Sequence, residues 1–288
     1  MNPISVNAFA KINLGLFITG KRQDGYHTLE TIFAPVSWHD TLRFSPADTI
    51  SMRCTNADLP TDDSNLCIRA ARSLQAHASL SAGVSIELDK RVPFGAGLGG
   101  GSSDAAAVLR VLNRFWNINA PLEELHPLAV KLGADVPYFF EMEGLAYAGG
   151  IGDELTDLDS ALPWYVVTVF PSEHISTAWA YGNFHRRFGI ERPDIKTLAA
   201  GLSATHETER LALFENDFES AVFEQFPMVA EVKRLMLNAG AVFSSLSGSG
   251  SAVYALFGRE DEALQALSSL PDAYPSNITP PGFTMRQP

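Results

Sequence analysis

A glycine-rich string in the first half of the chain constrains the fold more than any other feature. The string runs from Pro93 to Ala106, reads PFGAGLGGGSSDAA, and contains five glycines. Because glycine lacks a Cβ, such a segment can turn sharply and direct successive N–H groups at one point. Apolar residues at helical spacing follow, so the string leads into a helix N-terminus, which favours an anion. A polyphosphate fits this combination, and Ser102 or Ser103 is predicted to cap the helix, contact phosphate or reach a magnesium ion.

Three interpretations of this string remain open from its residues alone: a flexible loop capped by serines, a dinucleotide-binding turn, or a triphosphate loop of another type. Gly95, Gly97 and Gly100 have the spacing of the dinucleotide fingerprint. That fold also needs a strand ending in an acidic residue about 20 residues later, whereas a second helix is expected here from Pro121 to Gly133. The sequence has neither the lysine-containing phosphate-loop motif nor the protein-kinase motifs. So many glycines cost a flexible loop stability without a structural return, which favours the triphosphate loop.

The acidic composition limits the kinds of partner that the protein is expected to bind. Acidic residues outnumber basic ones 33 to 21, for a formal net charge of −12. Nucleic-acid binding needs a surplus of Lys and Arg, so we expect no nucleic-acid partner. Cys54 and Cys67 are too few for a disulfide framework and lack metal-ligand spacing. With no leader-like N-terminus and no apolar run near the ~18 residues of a membrane span, we expect a soluble, cytoplasmic protein that does not bind a membrane.

Alternating and helical apolar patterns predict the remaining elements. They are strands at 9–18, 41–44, 49–52 and 84–88, helices at 64–77, 108–116 and 121–133, a strand at 165–170, a helix at 226–238, strands at 242–246 and 252–257, and a helix at 260–270. The strands at 41–44 and 49–52 are predicted to pair as a hairpin, and residues 21–25 to form a turn. Strands and helices follow one another without a regular βαβ rhythm, which favours an α+β fold with two lobes, residues 1–155 and 156–288.

Three separated motifs together resemble the GHMP kinases (galactokinase, homoserine kinase, mevalonate kinase, phosphomevalonate kinase). The motifs are AKINL at Ala10–Leu14 with DGYHTL at Asp24–Leu29, the glycine-rich string, and LSGSGSA at Leu246–Ala252. The resemblance implies the two-domain α+β fold of that family, with the active site in the cleft between the lobes and ATP as phosphate donor. The opening AKINL…DGYHTLET, the lengthened GLGGGSSDAAA and the string at Gly133–Pro137 are similar to one subgroup. That likeness implies phosphorylation of a hydroxyl on a cytidyl-diphosphate sugar alcohol, in the non-mevalonate route to isoprenoid precursors.

The resemblance also assigns the chemistry. Asp135 matches the family's catalytic base, although from the residues alone it could equally cap a turn before Pro137. Lys11 matches the lysine that forms an ion pair with that aspartate, whereas a lone strand lysine is usually part of a solvated face. Asn13, which lies on the same strand face as Lys11, is expected to bond the hydroxyls of the sugar alcohol.

Four further residues are assigned to the cytosine of the substrate. Tyr26 would stack on the base and His27 would hydrogen-bond it, although both could simply end a hairpin. Thr177 and Tyr181 are four residues apart, so on a helix they share one face and are expected to form a second wall. Trp179 is expected to be a core residue.

The nucleotide is assigned to a separate set of residues. Asn65 and Lys90 match positions near the adenine. The phosphates are assigned to Pro93, Phe94, Gly95, Ala96, Gly97, Leu98, Gly99, Gly100, Gly101, Ser102 and Ser103. Mg²⁺ is expected to arrive with ATP, and no residue is assigned as a metal ligand. The alternatives are another GHMP kinase, such as a homoserine or mevalonate-type enzyme, and a catalytically silent sensor; the presence of both Lys11 and Asp135 argues against the sensor. The sequence does not predict the oligomeric state.

Overall fold

The structure, a computed structural model, describes residues 3–185, 188–205 and 208–286. Its strands are β1 (Ile4–Lys21), β2 (His27–Ser45), β3 (Ile50–Cys54), β4 (Val84–Asp89), β5 (Ala146–Gly149), β6 (Glu154–Asp157), β7 (Tyr165–Val169), β8 (Phe243–Leu246), β9 (Val253–Phe257) and β10 (Ser276–Thr279). Its helices are α1 (Leu66–His77), α2 (Gly100–Phe115), α3 (Leu122–Leu132), α4 (Val136–Glu141), α5 (Thr177–Asn183), α6 (Ile195–Thr205), α7 (Glu219–Gln225), α8 (Pro227–Asn238) and α9 (Glu260–Ser268), with a 3-10 helix at Thr208–Leu213. The fold is therefore a mixture of helices and sheets, as expected.

The chain forms two compact units, each assembled from separated segments. Unit 1 comprises the chain up to Ala10, His39–Val92 and Gly99–Met142. Unit 2 comprises Lys11–Trp38, Pro93–Leu98 and the chain from Glu143 onward. The two long strands β1 and β2 therefore contribute residues to both units. The sequential boundary between residues 155 and 156 stays a prediction.

Unit 1 contains strands in the order β3-β4-β2, together with helices α1 to α4. The hairpin expected for residues 41–44 and 49–52 is wrong, because β4 lies between the two strands. Ile86 of β4 is opposite Phe44 in an antiparallel pair and opposite Met52 in a parallel pair. Phe44 and Ile86 are fully buried. An alternating pattern shows which residues face the core but does not identify the neighbouring strand.

The start of α2 also differs from expectation. The helix begins at Gly100, so the prediction of Ser102 or Ser103 as its N-cap is wrong. Gly99 occupies the cap position with φ +69° and makes no side-chain cap hydrogen bond. A glycine takes this left-handed conformation at little cost, which lets the helix start before the serines. The next helix follows the sequence more closely: α3 has Pro121 as its N-cap and Gly133 as its C-cap.

Unit 2 contains the antiparallel sheet β10-β7-β9-β8 and the pairs β2-β5 and β5-β6. In the first sheet Val167 is opposite Ala255, and Ser245 is opposite Tyr254. Apolar residues of α7, α8 and α9 pack in a core with residues of β7, β8 and β9. The predicted strands at 242–246 and 252–257 are confirmed. The glycine-rich turn between them is consequently held by a buried sheet at both of its ends.

The helices give no sign of a membrane span. Across residues 3–185, 188–205 and 208–286, none is both long and apolar enough to cross a bilayer.

Candidate active site

The glycine-rich string has the backbone that its glycines predict. Gly95, Gly97 and Gly99 have φ values of +66°, +77° and +69°. Residues with a Cβ rarely adopt this left-handed conformation. Space adds a second constraint at Gly97, because a Cβ there would lie 2.0 Å from the carbonyl oxygen of Ser247. Gly97 therefore allows two backbone segments of unit 2 to approach more closely than any side chain would permit.

The second of these segments is the serine–glycine turn, Ser247–Ser251. The Ser247 hydroxyl donates to the Gly97 carbonyl at 2.9 Å, and the Ala252 N–H donates to the Ala96 carbonyl at 3.0 Å. Asn216 supports the turn from another side, because its Nδ2 donates to the carbonyls of Leu246 and Gly248 at 2.8 and 2.9 Å. The turn thus braces the first part of the glycine-rich string.

The N-terminal motif meets the other two motifs at the same place. Ser247 Oγ, which donates to Gly97, also accepts from the Asn13 N–H at 3.3 Å. The Lys11 N–H donates to the Leu98 carbonyl at 3.0 Å. We call Lys11, Asn13, Gly97 and Ser247 the three-motif junction. Residues more than 230 positions apart in the sequence therefore lie in one hydrogen-bonded group.

Lys11 is buried in this junction. Only 3% of the residue is exposed, which excludes the solvated strand face. Its Nζ donates to Asn13 Oδ1 at 2.6 Å and to the Gly97 carbonyl at 3.3 Å, and lies 4.9 Å from the centroid of the Phe33 ring. Asn13 Nδ2 in turn donates to Thr31 Oγ1 at 3.0 Å. The ammonium and the amide therefore have fixed orientations.

Asp135 lies in unit 1, between α3 and α4. It occupies the N-cap position of α4 with φ −81° and ψ −13°, but its carboxylate makes no capping hydrogen bond. The alternative role of Asp135 as a helix cap therefore receives no support. A Cβ on Gly133, two residues earlier, would lie 3.8 Å from Ser102 Oγ. The segment that carries Asp135 is thus adjacent to the first turn of α2.

The start of α2 borders a group of buried charges. Lys90 Nζ donates to Asp40 Oδ2 at 2.5 Å and to Asp104 Oδ2 at 2.8 Å, and at most 3% of each side chain is exposed. We call these three residues the charge network. Burial raises the pKa of Asp104 to about 7, with Lys90 opposing and Asp40 adding to the shift. Burial acts to lower the pKa of Lys90, but Asp104 and Asp40 outweigh it and raise that pKa.

Sequence reasoning missed two members of the charge network, although both left a signal. Asp40 follows the alternation of Trp38, Leu42 and Phe44, whose side chains are all buried. A carboxylate on the apolar face of a strand indicates a buried, paired charge. Asp104 is the one charged residue in the glycine-rich string.

Asn65, predicted near the adenine, has a structural task in unit 1. It is the N-cap of α1, where its Oδ1 accepts from the Cys67 N–H at 2.9 Å. Its Nδ2 donates to the Pro60 carbonyl at 2.7 Å.

The residues assigned to cytosine are partly brought together in unit 2. The rings of His27 and Tyr181 stack with centroids 4.8 Å apart and an interplanar angle of 13°. Thr177 Oγ1 lies 3.3 Å from Ser249 Oγ, in the serine–glycine turn. Tyr26 is 62% exposed. Trp179 packs edge-on against Phe226 beside the core, in agreement with its predicted role.

The described part of the chain has no cluster of three or more His, Cys, Asp or Glu residues suited to a metal ion. A metal carried by a phosphate ligand would not need such a cluster.

Comparisons with known proteins agree on one family. The model of the GHMP kinases N terminal domain matches residues 65–143, and that of the GHMP kinases C terminal matches residues 189–276. The 4-diphosphocytidyl-2-C-methyl-D-erythritol kinase of Chlorobium luteolum is 77% identical over 287 residues, covering 100% of both chains. The protein of the same name from Chlorobaculum tepidum is 59% identical over 285 residues, covering 99% of this chain and all of its own.

Solved structures extend the likeness. A crystal structure of 4-(cytidine 5'-diphospho)-2C-methyl-D-erythritol kinase has a TM-score of 0.80 and 36% identity, covering 97% of this chain and 99% of its own. The mevalonate kinase of Methanococcus jannaschii has a TM-score of 0.73 at 13% identity, covering 97% of this chain and 98% of its own. At that identity the second likeness shows the fold alone.

Proposed function

The chain belongs to the GHMP kinases, and we propose that it transfers the γ-phosphate of ATP to the 2-hydroxyl of 4-diphosphocytidyl-2-C-methyl-D-erythritol. The products are the 2-phosphate and ADP, in the non-mevalonate route to isoprenoid precursors. The observation that carries the kinase chemistry is the three-motif junction, where Lys11, Asn13, Gly97 and Ser247 meet in one hydrogen-bonded group. The substrate is proposed from full-length relatives of that name, one of them 77% identical.

We assign the ATP phosphates to Pro93–Ser103. The local structure of this string fits a polyphosphate in two respects. Gly95, Gly97 and Gly99 have positive φ, and alternation of this kind can turn successive backbone N–H groups toward one anion. The first turn of α2 has no side-chain cap, so its N–H groups are available to an anion. Mg²⁺, carried by the nucleotide, would neutralise charge on the β- and γ-phosphates.

We assign Asp135 as the base and Lys11 as its ion-pair partner. In phosphoryl transfer through a loose transition state, the base orients the attacking hydroxyl and finally accepts its proton. A neighbouring ammonium keeps the carboxylate ionised and offsets negative charge that develops during transfer. The burial of Lys11 and its fixed position in the three-motif junction support these roles.

We assign Asn13 to the hydroxyls of the sugar alcohol, and Tyr26, His27, Thr177 and Tyr181 to the cytosine. The stacked rings of His27 and Tyr181 offer a flat face to which a base can add by stacking. Tyr26 is exposed and available for contact with a ligand. The Asn13 amide is held by Lys11 and Thr31, which fixes its orientation before substrate binds.

Asn65 and Lys90 are assigned to the adenine side of the nucleotide. The structure restricts how each could contribute. Asn65 uses its side-chain oxygen to cap α1. The Lys90 ammonium lies between two carboxylates, so a contact with ATP through Nζ would have to compete with both ion pairs.

We further propose that the enzyme acts in the cytoplasm, where ATP is abundant. Cys54 and Cys67 are both free thiols, which is consistent with a reducing compartment.

The test is release of ADP in a coupled assay with magnesium-ATP and 4-diphosphocytidyl-2-C-methyl-D-erythritol. Wild type should turn over, and Asp135→Asn should lose about 10²- to 10⁴-fold in kcat because the base is gone. Asp159→Asn, the same change at an exposed aspartate of unit 2, is the matched control and should retain activity. Lack of turnover by folded wild-type protein would refute the named substrate, and homoserine and mevalonate in the same assay would identify a different acceptor.

A further inference from the structure

We propose that Asp40, Lys90 and Asp104 are positioning residues for ATP: the charge network fixes the first turn of α2, where the phosphates are proposed to bind. The inference rests on the proposed function, since it takes the ligand at α2 to be a nucleotide. In this proposal Lys90 does not contact the adenine directly. Its ammonium instead holds the start of α2 through the carboxylates of Asp40 and Asp104.

The network joins three elements of unit 1 at one point. Asp40 belongs to β2, Lys90 follows the last residue of β4, and Asp104 lies in α2. The two Nζ–Oδ2 distances are 2.5 and 2.8 Å, and no more than 3% of any of the three side chains is exposed. Charge-assisted hydrogen bonds of this length are strongly directional. One ammonium therefore sets the separation between a helix and the two strands beside it.

The network touches α2 at two successive turns. A Cβ on Gly100, the first helical residue, would lie 3.0 Å from Lys90 Nζ and 3.1 Å from Val92 Cγ1. Asp104 is four residues further on, one turn along the same helix face. Close packing of Lys90 against Gly100 and its ion pair with Asp104, one turn further on, together constrain the position and the direction of the helix start. The N–H groups proposed to bind phosphate therefore cannot shift unless the network changes.

The same network orders the backbone that leads from β4 toward the glycine-rich string. Asp40 Oδ1, the oxygen not used by Lys90, accepts from the N–H groups of Arg91 and Val92 at 2.6 and 2.8 Å. Asp40 therefore binds the Lys90 side chain with one oxygen and the two following residues with the other. Both ends of the connection between β4 and α2 are held by the same three side chains.

Stability alone does not account for this arrangement. A buried ion pair rarely stabilises a fold more than well-packed apolar residues of the same volume. Here two carboxylates share one ammonium, and among the described residues Asp104 Oδ1 is buried without a hydrogen-bond partner. Burial accordingly raises the pKa of Asp104 to about 7. Apolar residues would fill this site at lower cost but would not supply directional contacts to the start of α2.

The experiment separates a positioning role from a purely structural one. Binding of magnesium-ADP to the folded protein is measured by calorimetry, together with kcat and both KM values, for wild type, Asp104→Asn and Asp104→Ala. Because a small misplacement of a binding group can cost up to 10²-fold, we expect Asp104→Ala to weaken ADP binding and raise the KM for ATP by about tenfold. The KM for the alcohol substrate should change less than about twofold. Asp104→Asn retains an oxygen for Lys90 and should show a smaller change in the same direction.

Leu112→Ala is the matched control, since Leu112 is a fully buried residue of α2 two turns beyond Asp104. It should lower Tm with no change in ADP binding. If the Asp104 variants lower Tm in the same way and bind ADP as wild type does, the network is only structural and the proposal is wrong. Should Asp104→Ala fail to fold, Asp104→Asn supplies the same comparison. ADP binding can be measured without the alcohol substrate, so it tests the positioning role even if the assigned alcohol substrate is wrong.

Discussion

Two buried lysines, Lys90 in unit 1 and Lys11 in unit 2, have contrasting environments. The Lys90 ammonium is matched by the carboxylates of Asp40 and Asp104. The contacts of Lys11 in its own unit include the amide oxygen of Asn13, the Gly97 carbonyl and the Phe33 ring, which orient the ammonium without removing its charge. In unit 1 two carboxylates make Lys90 a connector between elements, whereas in unit 2 neutral acceptors orient the Lys11 ammonium. The following predictions test this difference.

The largest expected effect is on stability, from Lys90→Met. The substitution leaves two buried carboxylates without their ammonium, so we expect the free energy of unfolding to fall by about 3–5 kcal/mol in urea denaturation. Burial already raises the pKa of Asp104, so this carboxylate can take up a proton in the folded state and the loss should be smaller at low pH. Lys131→Met, at an exposed site of α3, is the control and should be nearly neutral. A loss below about 1 kcal/mol would show that Lys90 is not a connector.

Lys11→Met should mainly affect turnover. Removing a cation placed for developing charge costs about 10²- to 10³-fold in kcat, or about 3–4 kcal/mol. Stability should fall less than in Lys90→Met, because the Asn13 amide oxygen and the Gly97 carbonyl cost less to leave without a donor than the two buried carboxylates bound by Lys90. Lys21→Met, at the exposed end of the same strand, serves as the control in steady-state kinetics and thermal unfolding. The contrast between Lys90 and Lys11 would be wrong if both variants lost the same stability and Lys11→Met kept its turnover.

Gly97→Ala tests the junction around Lys11. Both Gly97→Ala and Gly95→Ala force alanine into the left-handed region, which costs about 1–2 kcal/mol. At Gly95 the nearest atom to the new Cβ is His174 Nδ1 at 3.8 Å, but at Gly97 the Ser247 carbonyl oxygen is at 2.0 Å. We therefore expect Gly97→Ala to cost about 1–3 kcal/mol more than Gly95→Ala in urea unfolding. Equal costs would mean that the two backbones can separate without penalty.

The sequence predicts features that depend on local pattern. Strand β4 and helices α1 and α8 were predicted because period-two and helical spacings are properties of neighbouring residues. The sharp turns of the glycine-rich string were predicted because glycine, which lacks a Cβ, can adopt backbone conformations that other residues rarely adopt. The hairpin was wrong, since β4 enters between β2 and β3 from about 30 residues further along the chain.

The candidate site shows the same division. Lys11 and Asn13 were singled out through a family resemblance, and their spacing on one strand predicts a shared face. The hydrogen bond from the Asn13 N–H to Ser247 Oγ, more than 230 residues away, depends on tertiary structure. The charge network escaped prediction for the same reason, because pairing of Asp40 with Lys90 joins residues 50 positions apart. The stacking of His27 on Tyr181 is likewise invisible in either local pattern.

The smallest expected effect is a pH dependence of stability that comes from Asp104, one of the two carboxylates bound by Lys90. Burial raises the pKa of Asp104 to about 7 from the 3.8 of a free aspartate side chain, so between these values the folded state binds more protons than the unfolded state. Stability from this group is therefore greatest at low pH and is lost as pH rises toward 7. Asp104→Asn removes the titration, so its Tm relative to wild type should rise by a few degrees over that range and stay level above it.

Four groups face Asp104 and bear on this pH dependence. They are Lys90, Asp40, Cys67 on α1 and Cys54 on β3. Burial raises the pKa of both thiols. Burial acts to lower the pKa of Lys90, but the two carboxylates outweigh it and raise that pKa. Cys54, Cys67 and Lys90 therefore each keep one protonation state from pH 4 to 7. The measurement is Tm of both proteins at intervals across this range. A constant difference in Tm would show that Asp104 does not titrate between pH 4 and 7, and it would contradict a raised pKa for the buried carboxyl on the Lys90 side of the comparison.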